Sequence, residues 1–338
     1  MEQRIERRMM ADPGPGGLSG GLLADEDVVS QMWQWVADGR RAVLVTLVGV
    51  HGGAPRAPGA QMAVADDGRH AGYLSGGCLE QAIVLEAQDV ISKEQNRLLR
   101  YGKGSPYIDI RLPCGSGLDI YFDQSITRQH LAELVRNRDR RQTTLLRTDL
   151  QTGQSVVVPF AGKILREATL CAGDIFERIY TPPVQLLLVG SGPGLLGLAS
   201  LGAALGLSLR VLAVDDPTRV ALISHGLGPS LVEMPLSEIT AEMDFASAAV
   251  LVLHDHEREP DILSELLRSD CFYIGALGNH AVHRARLAEL MRRGISETDC
   301  RRIRAPVGAI SGAKSKATLA VGVLMEMMDE AKARHLVP

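Results

Sequence analysis

Two cysteines stand in glycine-rich loops where a thiol could meet a ligand. The first loop is Ser75-Gly76-Gly77-Cys78-Leu79-Glu80 and the second is Pro113-Cys114-Gly115-Ser116-Gly117. Cys78 falls at an expected helix start, a position that lowers a thiol pKa and exposes the sulfur. It reads either as a thiolate turned towards a ligand or as a small residue packed in a tight turn, and Cys114 carries the same two readings. Neither loop holds a histidine nearby in sequence, so a protease-like dyad is not expected.

A second group of residues suits a phosphate. Gly190-Ser191-Gly192-Pro193-Gly194-Leu195 follows an apolar run and opens a helical one. Glycines there permit a tight turn and close backbone approach, and the helix N-terminus offers free amides. In the register from Gly190, Leu195 stands at the third glycine position; a literal GxGxxG runs from Gly192 to Gly197. Asp215 ends the next apolar run, where an acid binds a ribose hydroxyl in dinucleotide folds. His254-Asp255-His256 follows a third such run. Residues at the carboxyl ends of strands in an open sheet face the ligand crevice, so Gly190, Gly192, Asp215, His254, Asp255 and Gly275 are expected to line one. The histidines have no evident third metal ligand beside them.

The elements that must hold these residues divide the chain in two. Residues 1–24 are turn and linker chemistry. An N-terminal α+β domain is expected over 25–180, with helices at 26–38, 79–99 and 128–138. Strands are expected at 42–50, 61–65, 108–112 and 118–122, with a hairpin of 143–148 and 155–159 around Thr152-Gly153. The break is expected within 172–184, where Thr181-Pro182-Pro183 stops regular structure. From 184 to 338, short apolar strands at 185–189, 208–214, 249–253 and 271–274 alternate with helical stretches near 195–205, 219–225, 260–269 and 281–293. That alternation predicts an α/β fold with a Rossmann-type, doubly wound parallel sheet.

Composition narrows the function classes. The chain has 338 residues and a formal charge of −4. Nothing in that balance points to nucleic acid or an anionic membrane. The cysteines number five, with no CxxC pair or zinc spacing, and the charged start lacks a secretory apolar segment. A cytoplasmic setting is therefore expected. No apolar run reaches the ~18 residues of a membrane span.

On these residues the chain resembles the XdhC/CoxI family. The N-terminal signature is Gly53-Ala54-Pro55-Arg56-Ala57-Pro58-Gly59-Ala60-Gln61-Met62, followed by Gly76-Gly77-Cys78-Leu79-Glu80. Later come Val252-Leu253-His254-Asp255-His256, Tyr273-Ile274-Gly275-Ala276-Leu277-Gly278 and Arg304-Ala305-Pro306-Val307-Gly308. The resemblance runs from about 25 to 330. It departs at the tail, where Ile310, Lys314 and Lys316 stand in place of the family's aspartate, arginine and proline.

The resemblance implies a non-catalytic accessory factor for molybdenum hydroxylases. Such a factor binds molybdenum cofactor, as molybdopterin or its dinucleotide form. It supports sulfuration with a cysteine desulfurase and passes the cofactor to an apo-molybdoenzyme of the xanthine dehydrogenase class. A homo-oligomer is expected. Cys78 is then the first candidate beside molybdenum and Cys114 the second, since a soft thiolate suits that metal. Gly76 and Gly77 would join them, and Gly190, Gly192, Gly194 and Lys314 would serve the phosphate end. The alternative is an NAD(P)-dependent oxidoreductase, drawn from the glycine loop and Asp215.

Overall fold

A computed structural model describes residues 27–77, 79–105, 115–160, 169–170, 174–253 and 258–337. Helix α1 is Val28–Ala37; Asp27 caps it by accepting from the Ser30 amide at 3.0 Å. It buries Val29, Met32 and Trp35, three positions on one helical face. Strands β1 (Ala42–His51), β2 (Gln61–Ala65) and β3 (His70–Gly72) follow, then helix α2 (Glu80–Lys93) and strands β4 (Arg97–Gly102) and β5 (Gly117–Asp123). The strands form an antiparallel sheet of order β3-β2-β1-β5-β4.

β1 reads as a continuous apolar run because both its faces are covered. Val43, Val45 and Leu47 pack with Ile83, Ala87 and Val90 of α2. Ala42 and Leu44 pack with Met32, Trp35, Leu131 and Leu134, the last two from helix α3 (Arg128–Asp139).

The helix expected over 79–99 is shorter than its periodicity. It ends at Lys93, with Glu94 left-handed at φ 53°, and Arg97 begins β4. The apolar pattern runs on because Leu98 and Leu99 belong to a strand; Leu98 is exposed, and pairing with β5 decides the conformation. The strand expected at 108–112 lies outside the described residues.

A second sheet is built from β6 (Thr144–Asp149), β7 (Ser155–Pro159), β8 (Thr169–Leu170) and β9 (Ile175–Tyr180), in the order β7-β6-β9-β8. The β6–β7 hairpin is the expected one. Strand β9 is additional to the expected elements, and it occupies much of the expected break. The chain passes onward through residues 181–184, which belong to no helix or strand.

The C-terminal half confirms the parallel Rossmann-like sheet. Strands β10 (Gln185–Gly190), β11 (Ser208–Ala213), β12 (Ser247–Val252), β13 (Tyr273–Ala276) and β14 (Ile303–Arg304) pair in parallel in the order β11-β10-β12-β13-β14. Between and after them lie α4 (Gly192–Ala204), α5 (Asp216–Ser224), α6 (Leu236–Ala241), α7 (Glu259–Leu267), α8 (His280–Arg292), α9 (Glu297–Cys300) and α10 (Lys316–Ala333). Leu186 and Leu188 pack on the α4 and α10 side, Leu187 and Val189 on the α7 and α8 side. Both faces are thereby buried, as in doubly wound sheets. The two halves are tied by a bidentate ion pair: Arg141 donates to Asp244 at 2.8 and 2.9 Å, and to the Pro183 carbonyl at 3.1 Å. Among the described residues, no helix is long and apolar enough to cross a membrane.

Candidate functional site

Strands β1, β3 and β4 run in one direction, because each is separated from the next of its kind by an antiparallel partner. Their outgoing loops therefore leave from one end of the sheet. These are the loop after His51, the loop at 73–79 and the segment from 103 that returns at Gly117. Topology thus brings the described residues that flank positions 78 and 114 to the same sheet end. Cys78 and Cys114 themselves lie outside the described residues, as do His254 and Asp255.

The residues flanking position 78 are fixed by one carboxylate. Glu80 accepts from the Leu74, Ser75 and Gly77 amides at 3.1, 2.9 and 2.8 Å, from the Ser75 hydroxyl at 2.6 Å, and from the Leu79 amide at 3.2 Å. Burial raises the Glu80 pKa, but the hydrogen bonds from Ser75 and the loop amides outweigh it and bring it down to about 2. Gly76 and Gly77 are exposed at φ +75° and +111°, with open space where a side chain would be. Their backbone conformation is one that glycine adopts readily.

Replacing Glu80 with Gln is expected to loosen this loop. The carboxylate is depressed below its ordinary value of 4.5, so its contribution is present above that pH and fades as pH falls towards 2. Solvent screening holds the expected loss to about 1–2 kcal/mol at neutral pH. Urea denaturation of both proteins at pH 7 and pH 3 tests it. The gap between them should narrow at pH 3; a pH-independent gap would assign the effect to something other than the charge.

Sequence reasoning missed a histidine at this end. β1 pairs with β5 so that His51 lies opposite Gly117, three residues after position 114. His51 Nε2 lies 2.8 Å from Asp119 Oδ2 and 2.9 Å from Arg100 Nη2. Arg100 grips Asp119 in bidentate fashion at 2.6 and 2.8 Å. The hydrogen bond from Arg100 is the main reason that the Asp119 carboxyl sits below its usual range, and His51 adds to it. Asp119 can approach β1 only because Gly49 has no side chain; a Cβ there would lie 2.9 Å from the carboxylate. The carboxylate and the guanidinium together fix the orientation of the imidazole by hydrogen bonding. The signal for it is cross-strand register, which linear spacing does not carry.

The carboxyl ends of β10 and β11 bring Gly190, Ser191, Gly192 and Asp215 together. Asp215 caps α5, accepting from the Thr218 amide at 2.7 Å. Hydrogen bonds from Thr218 chiefly, and from Ser191, hold its carboxyl below the usual range. The Gly192 amide donates to the Thr218 hydroxyl at 2.7 Å. The acid and the amide expected to meet a nucleotide are therefore both engaged within the protein. Gly192, at φ +81°, has open space where a side chain would be.

The other glycines have packing reasons. A side chain at Gly194 would approach Leu319 of α10, and Gly197 faces Lys316 and Ala320 of the same helix. Gly275 is buried within β13, where a Cβ would lie 2.6 Å from Val307. Lys314 is exposed one residue before Ser315, which caps α10 through a reciprocal pair with Thr318. The α10 N-terminus thus sits beside α4, and Lys314 stands at that end. Among the described residues, no group of three or more histidines, cysteines or acids is placed to hold a metal ion.

Known proteins agree with this architecture. Residues 35–102 match the model of the XdhC and CoxI family, and 186–327 match that of the XdhC Rossmann domain. The molybdenum cofactor insertion chaperone PaoD of Escherichia coli (strain K12) is 35% identical over 289 residues, 86% of this chain and 83% of that protein. A probable xanthine dehydrogenase subunit of Bacillus subtilis (strain 168) is 26% identical over 331 residues, 87% of this chain and 94% of that one. A crystal structure of a xanthine dehydrogenase from Bacillus halodurans superposes with a TM-score of 0.69 at 19% identity, over 90% of this chain and 96% of that one, and shows the shared fold. With both models matched in order and a relative this similar across most of its length, the chain belongs to the XdhC and CoxI family.

Proposed function

We propose that this protein is a molybdenum-cofactor maturation chaperone. It holds the cofactor and delivers it to an apo-molybdoenzyme of the xanthine dehydrogenase class, with a cysteine desulfurase supplying the sulfur. The observation that carries the reading is the 35% identity, over most of both chains, to a molybdenum cofactor insertion chaperone. The cofactor is cargo, anionic at its phosphate end and soft at its metal end. The Glu80-pinned loop fixes the neighbours of Cys78 and leaves Gly76 and Gly77 open to a ligand. Cys78 is the thiolate assigned to the metal end, with Cys114 the second candidate. His51, oriented by Asp119, is a hydrogen-bonding group offered to the ligand at this sheet end. The helix starts at Gly192 and Lys316, with Lys314 beside the second, serve the phosphate end. The protein works in the cytoplasm as a homo-oligomer.

The reading is tested by anaerobic purification from cells that make the cofactor. Cys78→Ala should retain at least tenfold less cofactor with an unchanged melting temperature, because a thiol facing a ligand adds little to the core. Cofactor-loaded wild-type protein should activate an apo-molybdoenzyme. Equal cofactor retention by Cys78→Ala would return Cys78 to a packing role. The NAD(P)-dependent alternative requires turnover with NAD or NADP on alcohols, aldehydes or purines. Turnover abolished by His254→Ala would replace the chaperone reading. The engagement of the Asp215 carboxylate as the α5 cap argues against that alternative.

A further inference from the structure

Arg178 lies in β9, in the stretch between residues 102 and 186 that neither family model covers. It borders a cavity of about 190 Å³ whose lining includes Arg56, Gln61, Arg138, Tyr180 and Leu134. The Arg178 guanidinium lies 4.5 Å from the centre of the Tyr180 ring, and its Nε donates to the Gly59 carbonyl at 2.7 Å. Its terminal nitrogens donate to no acceptor, and no carboxylate pairs with it, among the described residues. Burial pushes its pKa down, and nearby Arg56 adds to that.

The neighbouring polar groups leave the guanidinium without an anion. Gln61 is committed, donating to Thr46 at 3.1 Å and accepting from the Tyr180 hydroxyl at 2.8 Å. The carboxylate in the lining, Asp27, pairs with Arg138. Arg56 stacks over Tyr73 at 4.7 Å and donates to its hydroxyl at 3.2 Å, which joins the cavity to the segment entering the Glu80-pinned loop. Arg178 is half-buried beside this cavity, where a counter-charge reaching its guanidinium would be favourable. A guanidinium fork matches two oxygens of a phosphate-like group.

We propose that this cavity is a binding site for one tetrahedral oxyanion group, gripped by Arg178 with Arg56 beside it. The volume is below the roughly 300–1,000 Å³ of pockets that enclose a whole drug-sized ligand, so it takes a group and not an entire cofactor. The occupant is a free oxyanion or the phosphate end of a larger ligand. Its assignment to the molybdenum cofactor's phosphate would rest on the chaperone reading; the site itself does not.

The test is calorimetric titration of the full chain with sodium phosphate and sodium molybdate, against sodium chloride at equal ionic strength. Wild-type protein should bind at least one of the two oxyanions. Arg178→Gln should bind it at least tenfold more weakly, with Arg178→Lys in between. Arg178→Lys, which keeps the charge, serves if the Gln variant does not fold. Cofactor retention is measured on the same variants. Loss of both oxyanion and cofactor binding identifies the phosphate end of the cofactor as occupant; loss of oxyanion binding alone identifies a free oxyanion. Wild-type protein that binds neither oxyanion, or variants that bind as tightly as wild type, would overturn the site. The chaperone reading would still stand if cofactor retention and delivery persist.

Discussion

Gly190→Ala should cost more than about 4 kcal/mol or prevent recovery of folded protein, although the substitution adds a single methyl. Gly190 ends the central strand β10 at φ +147°, opposite Val252 of β12. A Cβ there would lie 2.0 Å from the Val252 carbonyl oxygen and 2.5 Å from its carbonyl carbon. Both are backbone atoms of the neighbouring strand and cannot rotate aside. That same oxygen accepts from the Ser191 amide at 3.1 Å, so moving it breaks the ladder where the helix begins. Gly192→Ala is the informative control. Space is open there, and only the left-handed backbone opposes a side chain, a loss of about 1–2 kcal/mol. Chemical denaturation of the three proteins measures the order. A Gly190→Ala protein as stable as wild type would remove the packing explanation and return this glycine to the ligand.

This contrast shows what the sequence could and could not convey. The strand–glycine–helix pattern locates β10 and α4 because burial on both faces leaves an unbroken apolar run. It cannot separate Gly190, required by a neighbouring backbone, from Gly192, which opens into space. Spacing alone places Asp215 at the end of β11, yet it cannot reveal that the carboxylate serves as a helix cap for Thr218. Strand β4 is hidden because Leu98 and Leu99 prolong the helical pattern of α2, and only pairing with β5 makes them a strand. The His51–Asp119–Arg100 cluster draws on three strands separated by up to 68 positions. Nothing in local composition signals such a meeting. Arg178 is one arginine in a strand that the apolar pattern does not mark, and only the cavity beside it gives it significance. Cys78, the residue most prominent in the sequence, is framed by Gly77 and Leu79, whose amides both donate to Glu80.

Arg286→Met should destabilise the C-terminal half by about 3–5 kcal/mol. Arg286 on α8 and Glu259 at the start of α7 are both almost fully buried, and the guanidinium donates to the carboxylate at 2.7 Å. The same nitrogen donates to the Leu277 carbonyl at 2.5 Å, so one side chain joins two helices to the loop after β13. Methionine fills similar space but removes the Arg286 guanidinium from the buried Glu259 carboxylate. Pairing the change with Glu259→Leu should recover much of the loss, since an apolar pair of similar volume avoids the buried charge. Urea denaturation of the two single variants and the double variant at pH 7 completes the cycle. A single-variant loss below about 1 kcal/mol, or strictly additive losses, would show that the pair is not coupled.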